Sequence, residues 1–223
     1  MNLLTHNATV SNNREDLIKI YRKRAKYYNF FAKVYDIVFN SWTYRKQAVK
    51  ELNLRRGDTV VDLGCGTGVN FSLLEKAVGS KGKIIGVDLT DAMLAQARKR
   101  VEKEGWSNVE LVQSDAALFE FPTGVDGIVS TFALTLVPEF DQVIQNGCQT
   151  LSPGKRWVVL DLKVPSNPLA QFAPLLAFVF VRPFGGTMEM ATRHPWESIN
   201  KYLKNPCTIE LFMGFVYIAI GER

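Results

Sequence analysis

The chain has 223 residues, 47% of them apolar and 22% charged, a balance that suits a folded globular protein and excludes a disordered or collagen-like one. That length suits one ordinary domain with a sizeable core. A formal charge of +5 permits anionic partners without requiring nucleic acid. Cys65, Cys148 and Cys207 are odd in number and scattered, with neither disulfide nor metal-ligand spacing. No metal is therefore expected, and a reducing, cytoplasmic setting fits. The stretch Met1 to Asn13 is polar and lacks the basic-then-apolar pattern of a signal peptide.

From Arg14 to Val38 the chain is basic and aromatic, with no proline or glycine, and Ile20, Arg24, Tyr27, Phe31, Val34 and Val38 keep helical spacing. It reads as a helix capping the core with a solvated cationic face. A further reading is attraction to an anionic membrane surface, to which each nearby Lys or Arg contributes about 1 kcal/mol. A second helix is expected over roughly Thr43 to Leu52, then a turn at Arg56-Gly57-Asp58. The segment Val60-Val61-Asp62-Leu63 then enters a loop with glycine at every second position, Gly64, Gly66 and Gly68, and Phe71, Leu74, Ala77 and Val78 recur with helical period beyond it. Strand, glycine turn and helix in that order bring backbone and free helix N–H groups close to a nucleotide-like ligand. The dinucleotide fingerprint fails, because Val69 stands where its third glycine belongs.

The alternation continues. Lys83 to Asp88 reads as strand two, and Thr90 or Asp91 as the N-cap of a helix carrying Met93, Leu94, Ala97 and Val101 and stopping at Gly105. Val109 to Val112 is strand three, followed by Asp115 and Ala116; Gly127 to Ser130 is strand four. A helix with Phe140, Val143, Ile144 and Leu151 in period precedes a turn at Ser152-Pro153-Gly154-Lys155 and strand five, Trp157 to Asp161. Two apolar runs around Gly214 suggest a closing hairpin. The expected fold is α/β: a doubly wound, seven-stranded, mostly parallel sheet with an antiparallel C-terminal hairpin.

In such a sheet the ligand sits beyond the carboxyl ends of the strands. Asp88, about 20 residues after the glycine loop, is placed to accept two ribose hydroxyls. Asp115 can accept from an adenine amine, with the Ala116 N–H beside it. Val61-Asp62-Leu63-Gly64-Cys65-Gly66-Thr67-Gly68 resembles motif I of class I S-adenosylmethionine (SAM) dependent methyltransferases, and the resemblance extends over about Tyr27 to Asp161 and the hairpin. It implies SAM as cofactor, with S-adenosylhomocysteine as product. It also implies loop contacts at Gly64 and Gly66, ribose at Asp88, adenine covered by Leu89 and Met93, and the adenine amine at Asp115 and Ala116. Thr131 and Phe132 match positions lining the methyl donor. Tyr28 and Tyr35, in Tyr-Tyr-x-x-Phe-Ala-x-x-Tyr-Asp, resemble an N-terminal lid motif, with packed core aromatics as the alternative. Pro153-Gly154-Lys155 departs from the Pro-Gly-Gly often found in the family. On this reading residues 1–52 form a helical cap and 53–223 the SAM-binding domain, with an insert at about 164–206 covering the substrate.

That insert holds the apolar run Leu169 to Val181, too short and too interrupted by Pro174 to span a bilayer. It is either a core helix over the site or a roof over a lipid-like acceptor. With the cationic N-terminus it favours an amphiphilic acceptor and peripheral contact with an anionic membrane. The nearest resemblances are quinone-biosynthesis C-methyltransferases and phospholipid N-methyltransferases. Tyr-Asp-x-Val-Phe and Leu134-Thr135-Leu136-Val137-Pro138 lean towards the second, an amine of phosphatidylethanolamine type, with C-methylation of a quinone precursor or a small-molecule N/O-methyltransferase as alternatives. Nucleic acid is disfavoured by Ser130-Thr131-Phe132-Ala133 after strand four, in place of Asn/Asp-Pro-Pro-Tyr/Phe. A SAM-binding assembly protein without turnover is the non-enzyme alternative. His6, His194, Asp161 and Glu189 are each ambiguous, so no catalytic residue is assigned.

Overall fold

The computed structural model describes residues 14–23, 41–176, 178 and 188–223. Helix α1 covers residues 14–23. It is followed by α2 (Ser41–Glu51), β1 (Thr59–Leu63), α3 (Phe71–Val78), β2 (Lys83–Asp88), α4 (Asp91–Glu104), β3 (Val109–Gln113) and β4 (Val125–Thr131). Beyond these come α5 (Phe140–Thr150), β5 (Leu151–Leu162), the short α6 (Ala173–Leu176), α7 (Pro195–Tyr202), β6 (Lys204–Leu211) and β7 (Val216–Glu222).

The seven strands form one sheet in the order β3-β2-β1-β4-β5-β7-β6. Pairing is parallel from β3 through β5, and β7 is antiparallel to both β5 and β6. The expected fold is the observed one. Strand side chains alternate between two apolar layers. Val60, Ile84, Val129, Val158, Leu160 and Ile218 face α2, α3 and α4, while Val61, Ile85, Ile128, Trp157, Val159 and Ala219 face α5 and α7. A sheet covered on both faces needs this run of apolar residues, which is why the strands read as continuous β-branched stretches and not as polar–apolar alternation.

Several boundaries differ from the sequence reading. Leu151 opens β5 instead of ending α5, and the Ser152–Lys155 turn is taken into that strand, with Gly154 at φ +74° where the pairing with β4 shifts register. Lys155, the departure from Pro-Gly-Gly, has a structural role of its own: its Nζ lies 2.7 Å from Asp58 and 3.2 Å from Asp126, tying together the entrances to β1, β4 and β5. Thr90 holds the N-cap position of α4 without a side-chain capping bond, and Gly105 ends that helix in the left-handed conformation.

Gly147 in α5 lets the helix seat on Trp157. A Cβ there would stand 2.2 Å from the buried indole ring and 3.1 Å from Ile128. Gly147→Ala is therefore expected to lower the unfolding free energy by roughly 1–3 kcal/mol through overpacking. Helix propensity alone predicts a gain of up to about 1 kcal/mol, so the sign of the change in a urea titration decides between them.

Candidate functional site

The strand order reverses between β1 and β4, and the chain leaves those neighbouring strands in opposite directions, opening a crevice beyond their carboxyl ends. The crevice holds about 1030 Å³ of non-protein space, part of it open to solvent. Its wall includes Gly64 and Gly66 after β1, Asp88, Leu89 and Met93 from β2 and α4, Asp115 and Ala116 after β3, and Thr131 and Phe132 at the end of β4. These nine are all the predicted cofactor residues that lie within the described chain. Tyr28 and Tyr35 lie outside it, as do His6 and, in the insert, 177 and 179–187.

Gly64 and Gly66 have φ of +74° and +56°. At Gly64 the need for glycine is also steric, since a Cβ would stand 2.4 Å from the Ala133 Cβ. At Gly66 an added Cβ would meet nothing within 4 Å and would project into open space. The Gly66 N–H donates to Asp88 Oδ2 at 2.8 Å and the Thr90 N–H to Asp88 Oδ1 at 2.8 Å, so the carboxylate is fixed in orientation with lone pairs left on both oxygens. Burial pushes the Asp88 carboxyl above the usual carboxylate range, and the Thr90 and Gly66 N–H groups pull it back. Asp115 accepts from the Ala117 N–H at 2.9 Å through Oδ1, and its Oδ2 is paired with Arg14 Nε. Arg14 also reaches Glu139 at 3.0 Å, so α1 crosses the mouth, with Leu17 and Tyr21 lining it too.

Beneath the glycine loop runs a polar network that the sequence does not reveal. Asn70 Nδ2 donates to both oxygens of Asp62, at 3.0 and 3.2 Å, and to Thr131 Oγ1 at 3.1 Å. Arg45 Nη1, from α2, donates to Asn70 Oδ1 at 2.9 Å and to Thr131 Oγ1. Its guanidinium carbon stands 5.1 Å from the Phe132 ring centroid, and Phe132 is itself a non-glycine residue at φ +56°. In sequence Arg45 is one cation among many in a basic segment, and no motif marks it.

The other ambiguous residues have structural partners. Asp161 is buried and accepts from the Thr135 N–H at 3.0 Å, from the Thr135 hydroxyl at 2.6 Å and from the Leu162 N–H at 2.9 Å. It pins the turn Leu134–Leu136, whose Leu136 lines the crevice. His194 occupies the N-cap position of α7, stacked on Trp196 with ring centroids 4.5 Å apart and Nδ1 3.0 Å from Glu197. Glu189 lies 3.6 Å from Arg193, which donates to the Thr135 carbonyl.

A doubly wound sheet with a reversed seventh strand and a crevice at the β1/β4 reversal defines the class I methyltransferase fold. Solved structures agree. A SAM dependent methyltransferase from Aquifex aeolicus is similar over 84% of this chain and 91% of its own, with TM-score 0.62 and 22% identity. Phospholethanolamine N-methyltransferase 2 of Haemonchus contortus is similar over 86% and 46%, with TM-score 0.65 and 20% identity. In sequence the chain is 33% identical over 141 residues to the demethylmenaquinone methyltransferase of Shouchella clausii (strain KSM-K16), an alignment covering 63% of this chain and 59% of that protein. The chain thus spans about three fifths of that relative's length. The model of the ubiE/COQ5 methyltransferase family matches residues 8–210, and the chain belongs to that family. Its cofactor is S-adenosylmethionine. The crevice fits that group in its chemistry: it combines an oriented carboxylate, a glycine with open space before it and apolar walls from Leu89, Met93 and Val137.

Asp62 gives the site a pH signature. Burial pushes its carboxyl up to about 7; the Asn70 amide and the Arg45 charge oppose that rise, and the Asp88 charge adds to it. An unfolded Asp ionises near ~4. Between there and about 7 the folded protein holds a proton that the unfolded chain has released, so this group's contribution to stability falls as pH rises through that window and is level above it. The unfolding free energy of the wild type minus that of Asp62→Asn is expected to decrease across that window and then flatten; a constant difference would mean that Asp62 titrates normally.

Proposed function

We propose that the protein transfers a methyl group from S-adenosylmethionine to a ring carbon of a quinol-type, amphiphilic acceptor. The observation that carries this reading is the crevice at the β1/β4 reversal with the Asp88 carboxylate held open at its rim, in a chain of the ubiE/COQ5 family. SAM supplies, when bound, an electrophilic methyl group on a sulfonium. Asp88 accepts the ribose hydroxyls on the lone pairs that Gly66 and Thr90 leave. Asp115 accepts from the adenine amine beside the Ala116 N–H, and Leu89 and Met93 cover the ring. Gly64 and Gly66 bring backbone against the amino-acid half, and Thr131 and Phe132 line the methyl side. Tyr28 and Tyr35 belong to the same proposal as lid residues, each offering a cation–π contact of about 0.5–2 kcal/mol to a desolvated sulfonium. Residues 1–52 act as the cap, 53–223 as the SAM-binding unit, and the insert at about 164–206 covers the acceptor.

For the acceptor, the relative's name moves the preference. Demethylmenaquinone methylation is a transfer to carbon, and it supports the quinone alternative over the phosphatidylethanolamine-type amine that the Tyr-Asp-x-Val-Phe and Leu134–Pro138 stretches favour. The likeness to the Haemonchus amine methyltransferase, at 20% identity, speaks to fold alone. Carbon transfer requires the acceptor to lose a proton, and no histidine lines the crevice among the described residues. Most of the acceleration is then assigned to holding donor and acceptor in line. An amphiphilic acceptor also agrees with the exposed Val164, Phe172, Leu175, Phe178 and Met213. The insert and the β6–β7 turn that carry these side chains are joined by Asn167, whose amide donates to the Met213 carbonyl at 3.0 Å. No helix among the described residues is long and apolar enough to cross a membrane. Peripheral contact from the cytoplasmic side, with anionic lipid, is part of the proposal.

Radiolabelled SAM offered with demethylated quinols, extracted phospholipids and RNA is expected to label the quinol ring. Label in phosphatidylethanolamine alone would restore the amine reading, label in RNA alone would overturn the lipid-like acceptor, and SAM binding with no transfer would favour the assembly protein. Asp88→Ala should weaken SAM binding by roughly 10- to 100-fold, as expected for lost hydrogen bonds to a charged group. Unchanged affinity would remove Asp88 from the ribose role.

A further inference from the structure

The charged side chains lining the described crevice are Arg14, Arg45, Asp88 and Asp115, and they are sorted along it. Asp115 and Asp88 follow β3 and β2, while Arg45 meets Thr131 and Phe132 at the end of β4, on the far side of β1. With adjacent strands ~4.8 Å apart, the tips of β3 and β4 are separated by about 14 Å. On the SAM reading, on which this inference rests, adenosine lies over β3 and β2. The zwitterionic amino-acid end then falls at the glycine loop and β4, where Arg45 is.

Arg45 is not placed as a surface cation. Its Nη1 turns inward, donating to Asn70 Oδ1 at 2.9 Å and to Thr131 Oγ1, across 25 and 86 residues of sequence. Asn70 cannot rotate to release it, because its Nδ2 is committed to both oxygens of buried Asp62 and to Thr131. The Phe132 ring supports the guanidinium from another side at 5.1 Å. A half-buried guanidinium whose orientation is fixed by the Asn70 carbonyl and the Thr131 hydroxyl is suited to receive a carboxylate, since its planar fork is arranged before the ligand arrives. We propose that Arg45 binds the carboxylate at the amino-acid end of the methyl donor, with Asn70 and Thr131 as the residues that position it.

The test compares SAM with decarboxylated SAM, which keeps the adenosine, sulfonium and amine and lacks only the carboxylate, by calorimetry on the full chain. The wild type is expected to prefer SAM by roughly 10- to 100-fold, the range of a charge-assisted hydrogen bond. Arg45→Gln, which keeps an amide donor for Asn70 or Thr131 but not the charge, should lose that preference while binding decarboxylated SAM as well as the wild type does or better. Arg45→Lys should restore part of the preference. Equal weakening of both ligands in Arg45→Gln would show that Arg45 acts through packing and would sink the proposal, as would a wild type without preference. A wild type that binds neither ligand would instead bring down the cofactor reading itself.

Discussion

The close approach of the β1 and β4 tips is the constraint on which the site depends. The two strands are neighbours in the sheet, yet the winding reverses between them, so no crossover helix covers their ends. The loops leaving the two strands must therefore pack against each other without filling the gap. Gly64 does this after β1 by having no side chain to meet Ala133, and Phe132 does it after β4 by adopting a left-handed backbone that turns the chain aside. Both are unfavourable choices locally, glycine for its entropy in the unfolded chain and phenylalanine for its positive φ. The Phe132 N–H bonded to the Leu160 carbonyl at 2.7 Å and the Gly64 N–H to the Val87 carbonyl at 2.8 Å hold them in place.

Burying Asp62 directly under this junction needs an explanation, because an ionised carboxylate without partners is costly to desolvate. The partner is Asn70, on the first turn after the glycine loop, which places its amide on both carboxylate oxygens and its carbonyl towards Arg45. A strand residue, a helix-entry residue, a β4-tip hydroxyl and the α2 guanidinium are thereby joined in one connected set. Such a set, satisfied throughout, fixes a single arrangement of the elements it links, whereas loss of one member leaves the others buried and under-bonded. Helix α2 is in this way registered against the crevice by polar contacts as well as by Ala48, Val49 and, just after it, Leu52 in the core.

How much of this is legible in the sequence depends on the range of the interaction. The sheet and most of its boundaries can be read from β-branched runs separated by helical periods, because a doubly covered parallel sheet imposes that pattern locally. The crevice-wall positions Gly64, Gly66, Asp88 and Asp115 are legible for the same reason: each stands at a strand end, and a strand end is a local event. The Leu151 boundary misleads because a leucine in helical period also satisfies a strand's apolar face. Arg45, Asn70 and Arg14 escape a sequence reading because their meaning lies in partners 8 to 125 residues away. A cation in a basic stretch and an asparagine before a helix carry no periodic signal.

In the function proposed above, the acceptor side obeys a different logic from the cofactor side. The residues proposed to meet the cofactor stand on strand tips, which the sheet holds rigidly. On the proposed reading the acceptor is left to the N-terminal helices, to the turn Leu134–Leu136 and to the segment beyond β5. That turn is clamped from two directions, by Asp161 beneath it and by Arg193 from the end of the insert, which donates to the Thr135 carbonyl at 2.9 Å. Residues between β5 and β6 thus shape the crevice wall without being part of the sheet, and on the proposed reading a change there can re-form the acceptor side while Asp88 and the glycine loop stay where they are. The proposed donor rests on backbone geometry, and the proposed acceptor on the exposed apolar side chains after β5 together with the likeness to demethylmenaquinone methyltransferase.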